Sequence, residues 1–169
     1  MKSIILYNVY PKNHWKQLTQ FLLSDVPHDT IIVNVTMDKW DMILRKKSIE
    51  RFLKKIPKVS KIYFTPNSSY GEVAGFITMR NDTDLSEYSI LTYMHSKGVT
   101  KPDNDNIKDW VRLMHYFIID KFKQTEEVFS KNYILYGVNL LKIEDWIESS
   151  DYGPYKFSDY HYSGNFVSV

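Results

Sequence analysis

The residues of this sequence best suited to chemistry are His95, Ser96 and Lys97, which directly follow an apolar run from Ile90 to Met94. The run predicts a buried strand, and ligands of open α/β sheets bind beyond the carboxyl ends of the strands. A lysine ammonium is a point charge of the kind that binds diphosphates. An imidazole can donate to phosphate, bind a metal or transfer a proton. An ordinary loop after a strand is the alternative interpretation of these residues.

Three earlier strands are predicted by runs of β-branched and aromatic residues at Ser3–Tyr10, Thr30–Val35 and Lys61–Thr65, with helical apolar spacing between them. This alternation predicts an α/β fold with a mainly parallel, mixed central sheet flanked by helices. The carboxyl ends of parallel strands converge on one rim of the sheet. The polar residues that this would bring together are Asn8, Tyr10, Asp38, Asn67, Gly71, His95, Ser96 and Lys97.

The types of these rim residues favour a nucleotide or nucleotide-sugar site. Tyr10 and Asp38 suit a base and a ribose, while Asn67 and Gly71 suit a loop that lets backbone approach a ligand. Each residue also has an ordinary interpretation, with Asp38 as a helix N-cap, Tyr10 in packing and Lys97 as a solvated lysine. Their convergence on one rim is the argument for a site.

Two pairs of carboxylates are candidates for a metal site. Asp82 and Asp84 could clamp a divalent cation against a diphosphate, but they precede their strand and are expected at the edge opposite the rim. Asp103 and Asp105 follow the rim, where Asp105 also suits a helix cap. The sequence has no Gly-x-Gly-x-x-Gly and no Walker motif, which disfavours a dinucleotide enzyme and a P-loop protein.

Composition narrows the class of protein. The 169 residues predict one domain, and a net charge of +2 with interspersed signs disfavours a nucleic-acid binder. There is no cysteine, which fits a reducing compartment. No apolar run approaches the ~18 residues of a membrane span, and the N-terminus turns polar too soon for a signal peptide. We therefore expect a cytoplasmic protein without a membrane span.

The C-terminal part is predicted to add a long helix near Asp105, a strand over Tyr133–Leu141 with a turn at Gly137, and a last strand after Asn165. Gly164 and Asn165 could close the site from the other side, or form a tight turn into an edge strand. Because the chain ends on an apolar strand, we expect the natural protein to continue past Val169.

Three stretches resemble one group of glycosyltransferases: Tyr88–Gly98, the helix with Trp110-Val-Arg112-x-Met114, and His161-Tyr-Ser-Gly-Asn-Phe166. They are similar to the amino-terminal glycosyltransferase domain of a large chlorella-virus protein and, more loosely, to rhamnan-synthesis-type proteins with a His-Thr-Lys after a strand. The resemblance covers most of the chain. It implies a GT-A-type fold, with a nucleotide-sugar-binding half at 1–100 and an acceptor-side half at 101–169.

The resemblance further implies an enzyme of viral or bacterial glycan biosynthesis, in the host cytoplasm if viral. Its donor would be a UDP-sugar, often with Mn or Mg, and its acceptor a glycan or a protein-linked glycan. In that fold an Asp-x-Asp metal motif usually follows the central strand, where this chain has His95-Ser-Lys97. Either His95 and Lys97 replace the cation, or carboxylates such as Asp82 and Asp84 come from elsewhere.

On this basis Tyr10 and Asp38 would bind the nucleoside, and His95 and Lys97 the diphosphate. The catalytic base is assigned to Asp151 or Asp159 by their place in the polar tail. A non-catalytic nucleotide- or sugar-binding module of the same fold is the alternative function, and a plain interaction domain is disfavoured by the polar strand ends. The residues expected to bind the sugar or the acceptor are His161, Ser163, Gly164 and Asn165.

Overall fold

The computed structural model of the chain describes residues 1–68, 71–101, 104–138, 140–142, 160–162 and 166–169, with the backbone alone for 140–142 and 160–162. The strands are β1 (Ser3–Val9), β2 (Thr30–Met37), β3 (Val59–Pro66), β4 (Ile90–His95), β5 (Tyr136–Gly137), β6 (Leu140–Lys142), β7 (Tyr160–Tyr162) and β8 (Val167–Ser168). The α-helices are α1 (Trp15–Leu23), α2 (Lys39–Leu53), α3 (Glu72–Asn81), α4 (Asp105–His115) and α5 (Phe122–Ser130).

The main sheet has six strands in the order β3-β2-β1-β4-β8-β5. The first four strands are parallel, and β8 runs antiparallel to both β4 and β5. This confirms the predicted α/β fold with a mainly parallel, mixed sheet. The small strands β6 and β7 pair with each other in a separate antiparallel ribbon.

The chain winds outward from β1 to β3 and then crosses back to β4 on the other side of β1. Right-handed crossovers therefore put α1 and α2 on one face of the sheet and α3 on the other. The packing shows both layers, since Leu22 and Leu53 join the cluster around Tyr7, whereas Met79 of α3 packs with Ile4. The order of the strands reverses between β1 and β4, and such a reversal leaves a crevice beyond the strand ends.

Every residue of β1 is buried, as expected for a central parallel strand that is covered on both faces. Its side chains alternate between the two clusters, with Ile5, Tyr7 and Val9 on the α1 side and Ile4 and Leu6 on the α3 side. This alternation fixes which way each residue at the end of β1 faces. Among the described helices, none is long and apolar enough to cross a bilayer.

The prediction of one strand over Tyr133–Leu141 is wrong, but the predicted interruption at Gly137 is confirmed, because β5 ends there. The structure has two short strands there, and β5 ends at Gly137 in the main sheet whereas β6 belongs to the ribbon. Glycine weakens a strand because it has no side chain to pack and keeps more backbone freedom, and the change of sheet follows it. The last predicted strand is confirmed as β8.

Candidate functional site

A cleft of about 230 Å³ lies beyond the carboxyl ends of β1 and β4, at the reversal of strand order. Its lining combines residues from the ends of four parallel strands, as the sequence predicted. Asp38 is the one predicted rim residue that stands beside the cleft without lining it. The lining residues are Asn8, Tyr10, Thr36, Asn67, Gly71, Glu72, His95, Ser96, Lys97, Gly98, Val99 and Thr100.

Ser96 holds the ends of β1 and β4 together. Its backbone N–H donates to the Asn8 carbonyl over 2.9 Å, and its hydroxyl oxygen accepts from the Tyr10 backbone N–H over 2.8 Å. These bonds extend the pairing of Asn8 with His95 by one residue beyond the sheet. Ser96 is therefore a structural residue of the cleft, and it fixes where the chain places Lys97.

Asp38 is the centre of a polar cluster at the rim. Its carboxylate contacts the Lys12 ammonium at 2.9 Å and accepts hydrogen bonds from the Asn67 amide at 2.9 Å and from the Tyr10 hydroxyl at 3.0 Å. The hydrogen bond from Lys12, followed by those from Asn67 and Tyr10, lowers the pKa of Asp38 to about 2. Asp38 is thus ionised at neutral pH and acts only as an acceptor.

Asp38 also stands at the N-cap position of α2, but its side chain makes no capping hydrogen bond. Asp38 therefore has the position of a helix cap, but its side chain does not cap the helix. The carboxylate turns to Tyr10 and Asn67, two of the residues that line the cleft. Burial and the neighbouring carboxylate raise the pKa of Tyr10, so its hydroxyl stays a donor.

The cleft floor rests on a buried polar network between β1, β2 and β3. The Asn34 amide donates to Asn8 Oδ1 over 2.7 Å and to Thr65 Oγ1 over 2.9 Å, and the Thr36 hydroxyl donates to Asn8 Oδ1 over 3.2 Å. Gly75 of α3 covers the network, where a Cβ atom would overlap the Asn34 and Asn8 side chains. The network fixes Asn8 and leaves its Nδ2 without a hydrogen bond to any described residue.

His95 is held by Glu72, a residue that the sequence reasoning missed. The Nδ1 atom of His95 hydrogen-bonds Glu72 Oε2, and Glu72 lies in the first turn of α3, directly after Gly71. The Nε2 atom is buried and has no partner among the described residues. Nδ1 is thus hydrogen-bonded to Glu72 and Nε2 is buried, so neither ring nitrogen is available to a ligand in this conformation. The role of His95 here is to shape the end of β4.

Among the residues that the structure describes, Lys97 is the only lysine or arginine that lines the cleft. It is half-buried and makes no ion pair or side-chain hydrogen bond with a described residue. Lys12, in contrast, is paired with both Asp38 and Asp41. The ammonium of Lys97 is therefore the positive charge best placed to neutralise an anion in the cleft.

Lys97 and Gly98 also line a second groove of about 280 Å³ on the other side of this loop. That groove lies between α1 and α4 and is lined by apolar residues such as Leu18 and Val111 and by the cations Lys101, Lys108 and Arg112. Lys108 pairs with Asp105 and Arg112 pairs with Asp109. The groove lacks the asparagine, threonine and tyrosine side chains that line the first cleft. The first cleft is accordingly the better candidate for a polar ligand.

Other predicted residues lie away from the cleft. The Asp82 carbonyl accepts from Lys61 Nζ near the start of β3, and Asp84 accepts from the Ser86 N–H over 3.0 Å. This pair is at the opposite edge of the sheet, as predicted, and the described residues include no group of three acidic or histidine side chains able to hold a metal. The predicted cap Asp105 is wrong, since Asn104 accepts from the Ile107 N–H and caps α4.

The residues assigned to the acceptor side are mostly beyond what the structure describes. Asp103, Asp151 and Asp159 lie outside the described residues, and so do Ser163, Gly164 and Asn165. His161 is described by its backbone alone, in β7 opposite Leu141. The assignments of these residues therefore stay predictions.

No protein-family model, curated protein or solved structure matches the chain.

Proposed function

We propose that this protein is a glycosyltransferase that moves a sugar from a UDP-sugar to a glycan or a protein-linked glycan. The observation that carries the proposal is the cleft at the reversal between β1 and β4, with Lys97 unpaired among the described residues. Ligands of doubly wound sheets bind at such a reversal. The resemblance of the Tyr88–Gly98 stretch to GT-A-type glycosyltransferases supports the same class of ligand.

The nucleoside would bind at the Asp38 cluster. An ionised carboxylate has lone pairs for more acceptor contacts than the three it makes here, and the Asp38 side chain is 40% exposed. Ribose hydroxyls can donate to it, and the ring of Tyr10 lines the cleft beside it for stacking on a base. Lys12 and Asn67 hold the carboxylate in place for these contacts.

The diphosphate would lie against Lys97. The described residues of the cleft include no group of three acidic or histidine side chains able to hold a divalent cation. We therefore assign the neutralisation of the leaving group to Lys97 and derive no role for Mn or Mg. His95 would position the Ser96–Gly98 loop, with its ring fixed by Glu72.

In the reaction an acceptor hydroxyl oxygen forms a bond to the anomeric carbon while the bond from that carbon to the diphosphate breaks. The bonding electrons leave with UDP, where Lys97 stabilises the added negative charge. The acceptor proton passes to a base. Asp151 and Asp159 are still the residues predicted for that base.

Isothermal titration calorimetry with UDP, GDP, CDP and ADP, each with and without Mn, tests the donor site. We expect UDP to bind more tightly than the other diphosphates and Lys97→Ala to weaken it. Release of UDP from UDP-sugars in the presence of a panel of glycans then tests transfer. A protein that binds none of the four diphosphates would contradict the proposal.

A non-catalytic nucleotide-binding module is the second candidate. It is favoured by the fact that Asp38 and Glu72, the described carboxylates at the cleft, are both already bonded to neighbouring side chains. Neither is therefore ready to take a proton from an acceptor. The two candidates differ in turnover, because a module would bind UDP-sugars as tightly as an enzyme and release no UDP with any acceptor.

A further inference from the structure

Helix α2 exposes a patch of large apolar side chains. Trp40, Ile43 and Leu44 are 74%, 67% and 79% exposed. Their spacing of three and four residues puts them on one face of the first turns of the helix. The opposite face of α2 packs Ile49 and Leu53 into the core. Contiguous exposed apolar side chains of this size mark interaction surfaces.

The same outward face becomes basic toward the end of the helix. At 100° per residue, Lys47, Arg51 and Lys54 continue the line of Trp40 and Leu44. Lys47 and Arg51 make no ion pair with a described residue, and Lys54 pairs with Glu50 over 2.6 Å. Glu50 is the one acidic side chain on this face. We call the face formed by Trp40, Ile43, Leu44, Lys47, Arg51 and Lys54 the outer α2 face.

We propose that the outer α2 face binds an anionic lipid surface. Helices that lie in a membrane interface carry Trp and Leu on one face and Lys and Arg on the other. In α2 both kinds of side chain share the outer face and are separated along the helix instead, with the apolar side chains at its start and the cations toward its end. The apolar side chains would enter the boundary between headgroups and acyl chains. The cations would meet anionic headgroups, where each lysine or arginine strengthens binding roughly fivefold.

The distribution of charge favours a membrane over a second copy of the chain. In a two-fold dimer the same patch of each copy faces the other, so that residue i meets residue j and j meets i. Parallel α2 helices would bring two sets of Lys47, Arg51 and Lys54 together, and antiparallel helices would bury cations against Trp40 and Leu44. A planar anionic membrane can bury the apolar half of the outer α2 face and at the same time pair with the cations of its basic half.

Docking through α2 would also set the position of the cleft. The helix begins directly after Asp38, whose carboxylate bonds Tyr10 and Asn67 of the cleft lining. The apolar end of the outer α2 face is thus the end next to the cleft. The lipid-binding inference stands independently of the proposed transfer reaction, since it uses none of the cleft residues.

Co-sedimentation with vesicles of phosphatidylcholine alone and of phosphatidylcholine with about one-third phosphatidylglycerol tests the inference. We expect binding to the mixed vesicles that weakens with added salt, and little binding to phosphatidylcholine alone. The triple variant W40S/I43S/L44S should lose at least about tenfold in partitioning through lost apolar burial. Lys47→Ala should lose roughly fivefold through one cation.

Matched control variants distinguish binding through the outer α2 face from nonspecific adsorption to vesicles. Ile134→Ser removes an apolar side chain that is 86% exposed elsewhere, and Lys123→Ala removes an exposed lysine of α5. Both should bind vesicles like the wild type. The inference is overturned if the protein binds neither vesicle, if the control variants lose as much as the α2 variants, or if sedimentation velocity shows a dimer that W40S/I43S/L44S abolishes while vesicle binding is absent.

Discussion

At the residue scale, the Asp38 cluster joins side chains from several separate segments of the chain. Tyr10, Asp38 and Asn67 follow three different strands, and parallel pairing alone brings them together. Their partner Lys12 and the His95 partner Glu72 come from the segments between strands. The placement of those segments depends on how helices pack, which local sequence does not specify.

Lys97 carries the central charge of the proposed site, so its removal is the first test at this scale. We expect Lys97→Ala to weaken UDP binding by roughly 10-fold to 100-fold, because a charge-assisted hydrogen bond to phosphate is lost. Titration calorimetry measures the change. Lys101→Ala removes a lysine of the same loop that does not line the cleft and should bind UDP within about twofold of the wild type. Equal losses in both variants would remove Lys97 from the site.

At the element scale, the alternation of strands and helices predicted the four parallel strands but not their order. The reversal that sets β4 beside β1 depends on which face α3 covers, and α3 has little amphipathic pattern to indicate this. What fixes α3 is the close approach of Gly75 to the Asn34 and Asn8 side chains. Sequence patterns at helical spacing do not predict such a contact between a helix backbone and a buried polar network.

Gly75→Ala tests this contact. In an exposed helix interior the change would stabilise by up to about 1 kcal/mol. Here we expect a loss of about 1–3 kcal/mol in the free energy of unfolding, since the new Cβ displaces the Asn34 and Asn8 amides. Urea unfolding measures it, with Val73→Ala on the exposed side of α3 as a control that should stay within about 0.5 kcal/mol. A stabilised Gly75→Ala would mean that the network is not packed against α3.

At the scale of the whole molecule, a buried polar chain ties the last strand to the start of the fold. His28 Nε2 bonds the Thr92 hydroxyl at 2.8 Å, which bonds the Ser168 hydroxyl at 2.7 Å. The ring of His28 also lies 4.3 Å from that of Phe122, centroid to centroid. These contacts join the loop before β2 to β4, β8 and α5. Local sequence patterns do not predict them because the partners are far apart along the chain.

Stability should therefore fall in mild acid. Burial lowers the pKa of His28 to about 3, whereas an unfolded histidine titrates near 6.5. Between these values the unfolded chain takes up a proton that the folded chain does not, so the stabilisation is complete above about pH 6.5 and is lost as the pH falls toward 3. We expect this residue to cost about 2 kcal/mol of unfolding free energy between pH 7.5 and pH 5.0.

Urea unfolding of the wild type and of His28→Gln at both pH values measures this effect. The variant should lose the share of about 2 kcal/mol assigned to His28, while the share from His115, whose pKa is also lowered by burial, should remain. His14→Gln removes a histidine outside the His28–Thr92–Ser168 hydrogen bonds and should keep the full pH dependence. The same pH dependence in His28→Gln and the wild type would show that His28 is not buried as described.

The location of the proposed donor site is the central claim, and an amide NMR titration of the whole chain with UDP tests it most directly. Binding in the cleft predicts shifts concentrated at Tyr10, Gly71, Lys97 and Gly98, with Lys97→Ala reducing them at the same UDP concentration. No shifts at high UDP, or shifts centred on Leu18 and Val111 of the groove between α1 and α4, would contradict it.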